Sequence, residues 1–227
     1  MINTKTLVIL LGTARGGEET WNTMYKNLIE PYSADLALLF GKNSDKSSSL
    51  YKKAKFIWEI NEYSDWWDYF KKYFSNRLYD IFKKNEIEGL GGGINNFRGS
   101  GAIIFAFRHF LKNNFKNELI KYDRIILTRS DFYYIDCHPL LKNDLFYIVE
   151  GERYGGLTDR HHIFPTSMID DVLGINEFLD DKNNYKYLLS KNLNPERALY
   201  EFYKHNKLIK KIKYCKRVQF TVSKKNE

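Results

Sequence analysis

Three polar turns of the sequence contain side chains that could bind a phosphate, bind a metal ion or move a proton. The first, Gly12–Gly17 (GTARGG), has glycines that let backbone amides approach a phosphate, and Arg15, whose guanidinium can pair with one through two hydrogen bonds. This turn is neither a Walker sequence, since it lacks the GKS or GKT ending, nor a GxGxxG. The alternative interpretation is a tight strand-to-helix turn with a solvated Arg15.

The second turn, Thr128–Asp131 (TRSD), follows a continuous apolar run. A carboxylate at the carboxyl edge of a buried strand is well placed to bind a divalent metal ion, which in turn would neutralise a diphosphate. The aromatic run Phe132–Tyr134 comes next, and one of its rings could stack on a sugar. The alternatives are that Asp131 caps a turn and that the aromatic side chains pack in the core.

The third turn, Gly156–His162 (GLTDRHH), brings four titratable side chains together in sequence: Asp159, Arg160, His161 and His162. Such a cluster favours acid–base chemistry or metal binding. Adjacent side chains point in different directions on most backbones, so the alternative is that one histidine packs inward while the other is solvated.

Strands and helices alternate along the chain, which predicts how these turns are positioned. Strands are predicted over Thr6–Gly12, Ala34–Gly41, Ala54–Ile60, Arg124–Thr128, Leu145–Gly151 and from Lys211 onward. Helices are predicted after Gly17, from Ser64, after the glycine-rich segment Gly89–Gly101, near Ser167 and from Pro195, with loops at Asn43–Leu50 and from Tyr154 to Ser167. The pattern predicts one three-layer α/β/α domain over residues 1–227 with a mostly parallel sheet, whose strand ends converge at one edge.

Composition narrows the class of protein. A hydrophobic content of 43% over 227 residues allows a substantial core, which excludes disorder as the main state. Two cysteines, Cys137 and Cys215, make neither a disulfide framework nor a four-ligand zinc site, which favours a reducing, cytoplasmic compartment. No run approaches the roughly 20 apolar residues of a membrane-spanning helix, and the start does not resemble a signal peptide. The net charge of +8 favours an anionic partner without choosing among nucleic acid, a membrane surface and a phosphorylated small molecule.

The order of five segments carries a resemblance to a known family. GTARGG, INNFRGSGAIIFAFRHFL, YDRIILTRSDFYY, GGLTDRHHIF and NPERALYEFY follow one another as in small GT-A-fold, nucleotide-sugar-dependent glycosyltransferases of viral and bacterial polysaccharide synthesis, in which RSD stands in place of DxD. The resemblance spans most of the chain. It implies a Rossmann-like GT-A domain with a nucleotide-binding part over about 1–135 and an acceptor and catalytic part over about 136–227. It also implies a UDP- or GDP-sugar donor, a glycan or lipid-linked acceptor and, for a viral chain, the host cytoplasm.

The resemblance also implies a role for individual residues. The nucleotide sugar would be bound by the first turn, by the turn before the central helix and by the start of the RSD motif: Thr13, Ala14, Arg15, Asn95, Arg98, Gly99, Arg129 and Ser130. Asp131 matches a ligand of Mn²⁺ or Mg²⁺, with His161 or His162 as an additional ligand or donor contact. Asp159 matches the general base of inverting members, and Glu196 an acidic position near the sugar or acceptor.

Two other classes of function compete with a sugar transferase. A noncatalytic nucleic-acid-binding protein would explain the basic balance and the Lys-rich segment Lys204–Arg217, but no known nucleic-acid-binding motif occurs. A metal-dependent nuclease would use Asp131, Asp159 and the histidines, but it requires more acidic ligands close together. The transferase hypothesis predicts no nucleic-acid partner. The basic segment is then either a solvated surface or a peripheral contact with an anionic acceptor or membrane.

Overall fold

The computed structural model describes residues 4–42, 46–142 and 144–222. Its strands are β1 (Thr6–Gly12), β2 (Asp35–Gly41), β3 (Phe56–Ile60), β4 (Arg124–Thr128), β5 (Phe132–Tyr134), β6 (Phe146–Val149), β7 (His162–Pro165), β8 (Ile212–Cys215) and β9 (Gln219–Thr221). Its α-helices are α1 (Gly17–Met24), α2 (Glu30–Tyr32), α3 (Ser49–Lys53), α4 (Trp67–Phe70), α5 (Asn76–Lys84), α6 (Gly101–Leu119), α7 (Ile169–Leu173), α8 (Ile175–Asp180), α9 (Tyr185–Leu189) and α10 (Pro195–His205). A π-helical segment, Tyr25–Ile29, joins α1 to α2, and a 3-10 turn, Thr166–Met168, leads into α7.

Seven strands form the central sheet in the order β3–β2–β1–β4–β7–β6–β8. The first four of these are mutually parallel, β7 is antiparallel to both of its neighbours, and β8 is parallel to β6. The predicted mostly parallel α/β sheet is therefore confirmed. From β1 the chain moves outward to β2 and β3 on one side and then returns to β4 on the other. This reversal creates a crevice at the carboxyl ends of β1 and β4, the place where ligands bind in open α/β sheets.

The sheet is buried on both faces because successive side chains of a strand point to opposite sides. In β1, Leu7 and Ile9 belong to the core that α6 covers, whereas Val8 and Leu10 belong to the core that α1 covers. All four side chains are fully buried, and each contributes roughly 1.5–3 kcal/mol through the apolar surface removed from water. The helices on both faces confirm the predicted three-layer arrangement.

The loop prediction that spans the third turn is wrong at its end. His162–Pro165 is strand β7, which fills the space between β4 and β6. The strand is short, it begins with a histidine and it ends with a proline, so its apolar pattern extends over only two residues, Ile163 and Phe164. Its pairing is antiparallel and joins segments distant in sequence, which a local pattern does not reveal.

The predicted final strand from Lys211 is in fact two strands in different sheets. β8 extends the central sheet at its edge, whereas β9 pairs with β5 in a separate two-stranded sheet. Directly after β9, the backbone N–H of Val222 donates to the carbonyl oxygen of Asp131 at 2.9 Å. The C-terminal strand therefore holds the segment that carries the RSD motif.

The helix predicted from Ser64 is interrupted. α4 begins only at Trp67, and a new helix, α5, begins after Ser75, whose side-chain oxygen accepts from the Arg77 backbone N–H at 3.3 Å. An N-cap of this kind satisfies a backbone donor that the first turn of a helix leaves unpaired. Of the predicted loop Asn43–Leu50, residues 43–45 lie outside the described residues, and α3 begins at Ser49.

Candidate functional site

A cleft of about 450 Å³ lies at the carboxyl ends of β1 and β4. Its polar lining residues are Thr13, Arg15, Glu62, Ser100, Thr128, Arg129, Ser130, Asp131, Asp159 and Arg160. Its apolar side is formed by Leu11, Tyr63, Trp66, Ile103, Ile104, Phe107 and Leu127. A concave site with an apolar wall and a few convergent polar groups is typical of a small-molecule site.

The turns after β1 and β4 are tied together at the floor of the cleft. The Ser130 hydroxyl donates to the Thr13 carbonyl oxygen at 2.6 Å and accepts from the Arg15 backbone N–H at 3.0 Å. From α1, the Trp21 indole N–H donates to the carbonyl oxygens of Arg15 and Ser130, at 2.8 and 3.0 Å. These bonds hold the two turns next to each other, although they are more than a hundred residues apart in sequence.

The exposed side chain of Arg15 is only partly engaged. Its Nε–H donates to the Thr13 hydroxyl at 3.1 Å, and its two terminal nitrogens make no hydrogen bond or ion pair with the described part of the chain. Four N–H donors of a permanently charged group are therefore available to an anion.

Arg129 and Asp131 form a bidentate pair within the cleft. The Nε and Nη2 atoms of Arg129 donate to Oδ1 and Oδ2 of Asp131 at 2.7 and 2.6 Å. The Asp131 side chain is 8% exposed and that of Arg129 is 30% exposed. The hydrogen bonds to Asp131 raise the pKa of Arg129 above its usual value, although burial opposes this shift. The carboxylate therefore stabilises a guanidinium whose far side still faces the cleft.

Asp159 also lines the cleft and is held through its backbone. Its carbonyl oxygen accepts from Nη2 of Arg108 at 3.1 Å, whereas the one cation within 4 Å of its carboxylate in the described part of the chain is Arg160, whose Nε lies 3.9 Å away. Arg160 is engaged instead by Glu152, at 3.1 Å, and Arg217 reaches the same Glu152 oxygen at 2.8 Å. Among the described residues, no short ion pair neutralises the Asp159 carboxylate.

Glu196 is close to this network although it does not line the cleft. It lies in the first turn of α10, where the side chain of Asn194 caps the helix by accepting from the Arg197 backbone N–H at 2.8 Å. Burial, followed by the negative charge of Asp159, raises the pKa of Glu196 to about 7. Glu196 can therefore exchange a proton near neutral pH.

The two adjacent histidines point to opposite faces of the sheet. His162 is fully buried on the α6 side, where Nε2 donates to the Thr158 carbonyl oxygen at 2.7 Å and Nδ1 accepts from Arg108 at 2.9 Å. Because the carbonyl must be an acceptor, the proton of this neutral ring is assigned to Nε2. Burial, with the nearby charge of Arg108, lowers the pKa of His162 well below its usual value.

His161 is buried on the other face, and its ring lies 5.2 Å from that of His138. Its Nδ1 is 2.9 Å from the Thr128 hydroxyl, and burial lowers its pKa well below the usual value. Both histidines are fully buried, so the alternative in which one of them is solvated is wrong, and neither histidine lines the cleft.

The expected divalent metal ion does not fit these side chains. The predicted ligands Asp131, His161 and His162 are not brought together, and the described residues contain no group of three or more histidine, cysteine or acidic side chains that could hold a metal ion. Both carboxylate oxygens of Asp131 are occupied by Arg129, and both nitrogens of His162 have partners. The predicted ligands in the described part of the chain therefore do not provide a site for a divalent metal ion.

None of the three predicted donor contacts before α6 lines the cleft, although their neighbour Ser100 does. Ser100 lines the cleft, whereas Asn95, Arg98 and Gly99 are exposed and do not line it. Arg98 therefore does not join Arg15 and Asp131 in this arrangement. Ala14 likewise is not part of the lining, although its neighbours Thr13 and Arg15 are.

Sequence reasoning missed two features of the site. Tyr63 and Trp66 form part of the apolar wall, and their position directly after β3 was the available signal, since the carboxyl end of a parallel strand faces the crevice. The second is Arg108, which is 1% exposed and donates a hydrogen bond to the Asp159 carbonyl oxygen. Its signal was a lone arginine within the apolar run of α6, because a buried charge requires hydrogen-bonding partners.

The chain matches no protein-family model, and no curated protein sequence matches it. Within the described part of the chain, none of the helices combines the length and the apolar character required to cross a bilayer.

Proposed function

We propose that the protein is a glycosyltransferase, which moves a sugar from a UDP- or GDP-sugar to a hydroxyl of a glycan or lipid-linked acceptor. The observation that carries this proposal is the convergence of Arg15, Arg129 and Asp159 on one cleft with an aromatic wall. The cleft provides guanidinium groups for a diphosphate, a carboxylate for an acceptor hydroxyl and apolar surface for a base. The cytoplasmic location expected from the sequence is part of the same proposal.

The donor occupies both sides of the cleft in this proposal. Its diphosphate lies against the turn after β1 and against Arg129, and its base lies against Tyr63 and Trp66. When the bond between the anomeric carbon and the phosphate oxygen breaks, the electron pair leaves with that oxygen. The unpaired donors of Arg15 and the exposed side of Arg129 stabilise the charge that develops there.

Asp159 serves as the general base. As the acceptor oxygen forms its bond to the anomeric carbon, the hydroxyl proton passes to the Asp159 carboxylate and later to solvent. The absence of a short ion pair within the described chain, with its nearest cation at 3.9 Å, leaves this carboxylate available as a base. Single displacement by this route inverts the anomeric configuration. Glu196, nearby and able to hold a proton below about pH 7, limits the negative charge around Asp159.

The competing functions make different demands on the site. A metal-dependent nuclease needs clustered acidic ligands, and the described residues contain no metal-binding group of this kind. The net charge of +8 would also suit a nucleic-acid-binding protein, and thermal denaturation with nucleotides and oligonucleotides distinguishes it from a transferase.

Thermal denaturation with UDP, GDP, their sugars or oligonucleotides tests the proposal. A nucleotide at a hundredfold excess over its dissociation constant stabilises the folded state by about 2.7 kcal/mol. We expect stabilisation by a nucleoside diphosphate and none by oligonucleotides of equal charge. Stabilisation by oligonucleotides alone would exclude the transferase.

Asp159→Asn tests the assignment of the base. The variant should bind donor as the wild type does but lose roughly a hundredfold or more in transfer rate, because only the proton acceptor is removed. Asp144→Asn is the matched control, since Asp144 is an exposed carboxylate just before β6, at the opposite edge of the sheet. Full transfer activity in Asp159→Asn would disprove the assignment.

A further inference from the structure

We infer that the guanidinium of Arg129, held by Asp131, takes the place of a divalent cation against the donor diphosphate, so that transfer does not depend on metal. This inference rests on the proposed function. It is carried by the geometry of the Arg129–Asp131 pair and by the side chains around it.

The carboxylate that would hold a metal ion is already occupied. Both oxygens of Asp131 accept short hydrogen bonds from Arg129, at 2.7 and 2.6 Å, and the side chain is 8% exposed. A metal ion at Asp131 would have to displace a permanently charged guanidinium and then lie beside it. A metal ion and a guanidinium side by side in a partly buried site would repel each other strongly.

The surrounding side chains do not complete a metal site. Mg²⁺ and Mn²⁺ bind through oxygen ligands, which include one or two carboxylates. Of the other acidic side chains in or near the cleft, Glu62 lines it, and Glu152 is paired with Arg160 and Arg217. Asp159 lines the cleft too, with its carbonyl oxygen bonded to Arg108. Within the described part of the chain, Glu62, Asp131 and Asp159 do not form a group that could hold a metal ion.

Arg129 retains the donors that a diphosphate requires. A guanidinium has five N–H groups, and the bonds to Asp131 use one on Nε and one on Nη2. Three N–H groups are left on a side chain that is 30% exposed and lines the cleft. Arginine binds phosphate oxygens in pairs and is always charged, so it supplies fixed positive charge without a bound ion.

Asp131 is a positioning residue in this arrangement. Its two bonds hold the guanidinium in one orientation, and its own backbone oxygen is fixed by the Val222 N–H at 2.9 Å. The carboxylate that the resemblance assigns to a metal ion thus orients an arginine.

The experiment measures binding of UDP and GDP to the full-length protein by calorimetry, and transfer from the corresponding sugars, in EDTA and in Mn²⁺. We expect the dissociation constant of the bound nucleotide and the transfer rate to agree within about threefold between the two buffers. An increase in affinity of more than about tenfold in Mn²⁺ would overturn this inference but support the proposed function. Failure of both nucleotides to bind in either buffer would overturn the proposed function itself.

Two variants separate the roles of the pair. Arg129→Lys keeps the charge but loses the paired donors, so nucleotide affinity in EDTA should fall roughly 10- to 100-fold. The control is Arg153→Lys, because Arg153 is exposed and lies outside the cleft, and this variant should bind nucleotide as the wild type does. Asp131→Asn keeps one acceptor for Arg129 and should still bind nucleotide in EDTA. If Asp131→Asn instead removes a Mn²⁺-dependent increase in affinity that the wild type displays, Asp131 is a metal ligand and the inference is wrong.

Discussion

At the scale of single residues, the raised pKa of Glu196 makes the stability of the protein depend on pH. Burial and the charge of Asp159 raise this pKa from 4.5 to about 7. The folded state therefore keeps a proton that the unfolded state releases between these values, and the associated stability is present below pH 4.5 and is lost as the pH rises through about 7. The pH dependence thus arises first from the burial of one carboxyl group and second from the negative charge of Asp159 beside it.

Glu196→Gln should remove this dependence, because an amide does not ionise. The variant and the wild type should share one pH dependence below pH 4.5, and above about pH 7 the variant should gain relative to the wild type. The relative gain is about 3 kcal/mol in the free energy of unfolding, at 1.36 kcal/mol per pKa unit. Urea denaturation from pH 4 to pH 8.5 measures it, with the exposed Glu86→Gln as control. A constant difference between Glu196→Gln and wild type at every pH would contradict the assigned environment.

Some of the individual site residues could be predicted from the sequence and others could not. Arg15 follows β1 and Asp131 follows β4, and the ends of these two strands are recognisable from apolar runs. Asp159 was identified instead by the cluster of titratable residues to which it belongs in the sequence. The two histidines could not be placed, because their directions depend on β7. The bond from Arg129 to Asp131 was equally hidden, since a motif does not reveal whether a carboxylate faces a metal ion or its own neighbour.

At the scale of elements, the glycine-rich segment before α6 is a packing device. A Cβ on Gly92 would overlap the backbone of Gly99, and one on Gly101 would press on the Leu90 carbonyl oxygen at 2.5 Å. These close approaches place the start of α6, and with it Ile103 and Ile104, against the cleft. The glycines are required for contact between backbones, which a sequence-based search for phosphate-binding turns does not distinguish.

Gly92→Ala should therefore destabilise the fold and disturb the cleft together. Backbone atoms on both sides of the contact have little room to move, so we expect a loss of about 2 kcal/mol or more in the free energy of unfolding, with weaker nucleotide binding. Ile87→Ala, at a side chain that is 78% exposed, should change stability by less than about 0.5 kcal/mol. Denaturant unfolding of both variants gives the comparison. If Gly92→Ala were as stable as the wild type, the backbone around Gly92 and Gly99 could move apart at little cost in free energy, and the close contact would not be required.

At the scale of the whole molecule, the predicted strands that correspond to β1 to β4 and β6 are found close to their predicted bounds, whereas the single strand predicted from Lys211 is divided into β8 and β9. β7 and β9 were not separated from their surroundings, because each is short and is stabilised by a partner distant in sequence. These two strands connect the N-terminal and C-terminal parts of the chain through strand pairing. β7 lies beside β4 and β9 beside β5, so the predicted nucleotide-binding and acceptor parts share both sheets.

This sharing predicts that the two parts do not fold separately. A fragment that ends at residue 142 retains β4 and β5 but loses β7 and β9, which leaves two sheet edges unpaired and removes the partners of the buried Arg108. We expect this fragment to lack near-ultraviolet circular dichroism. The full chain should unfold in one transition, coincident in the near- and far-ultraviolet. Two separate transitions, or a cooperatively folded fragment, would mean that the part over about 1–135 is an independent unit, which the strand order at β4 argues against.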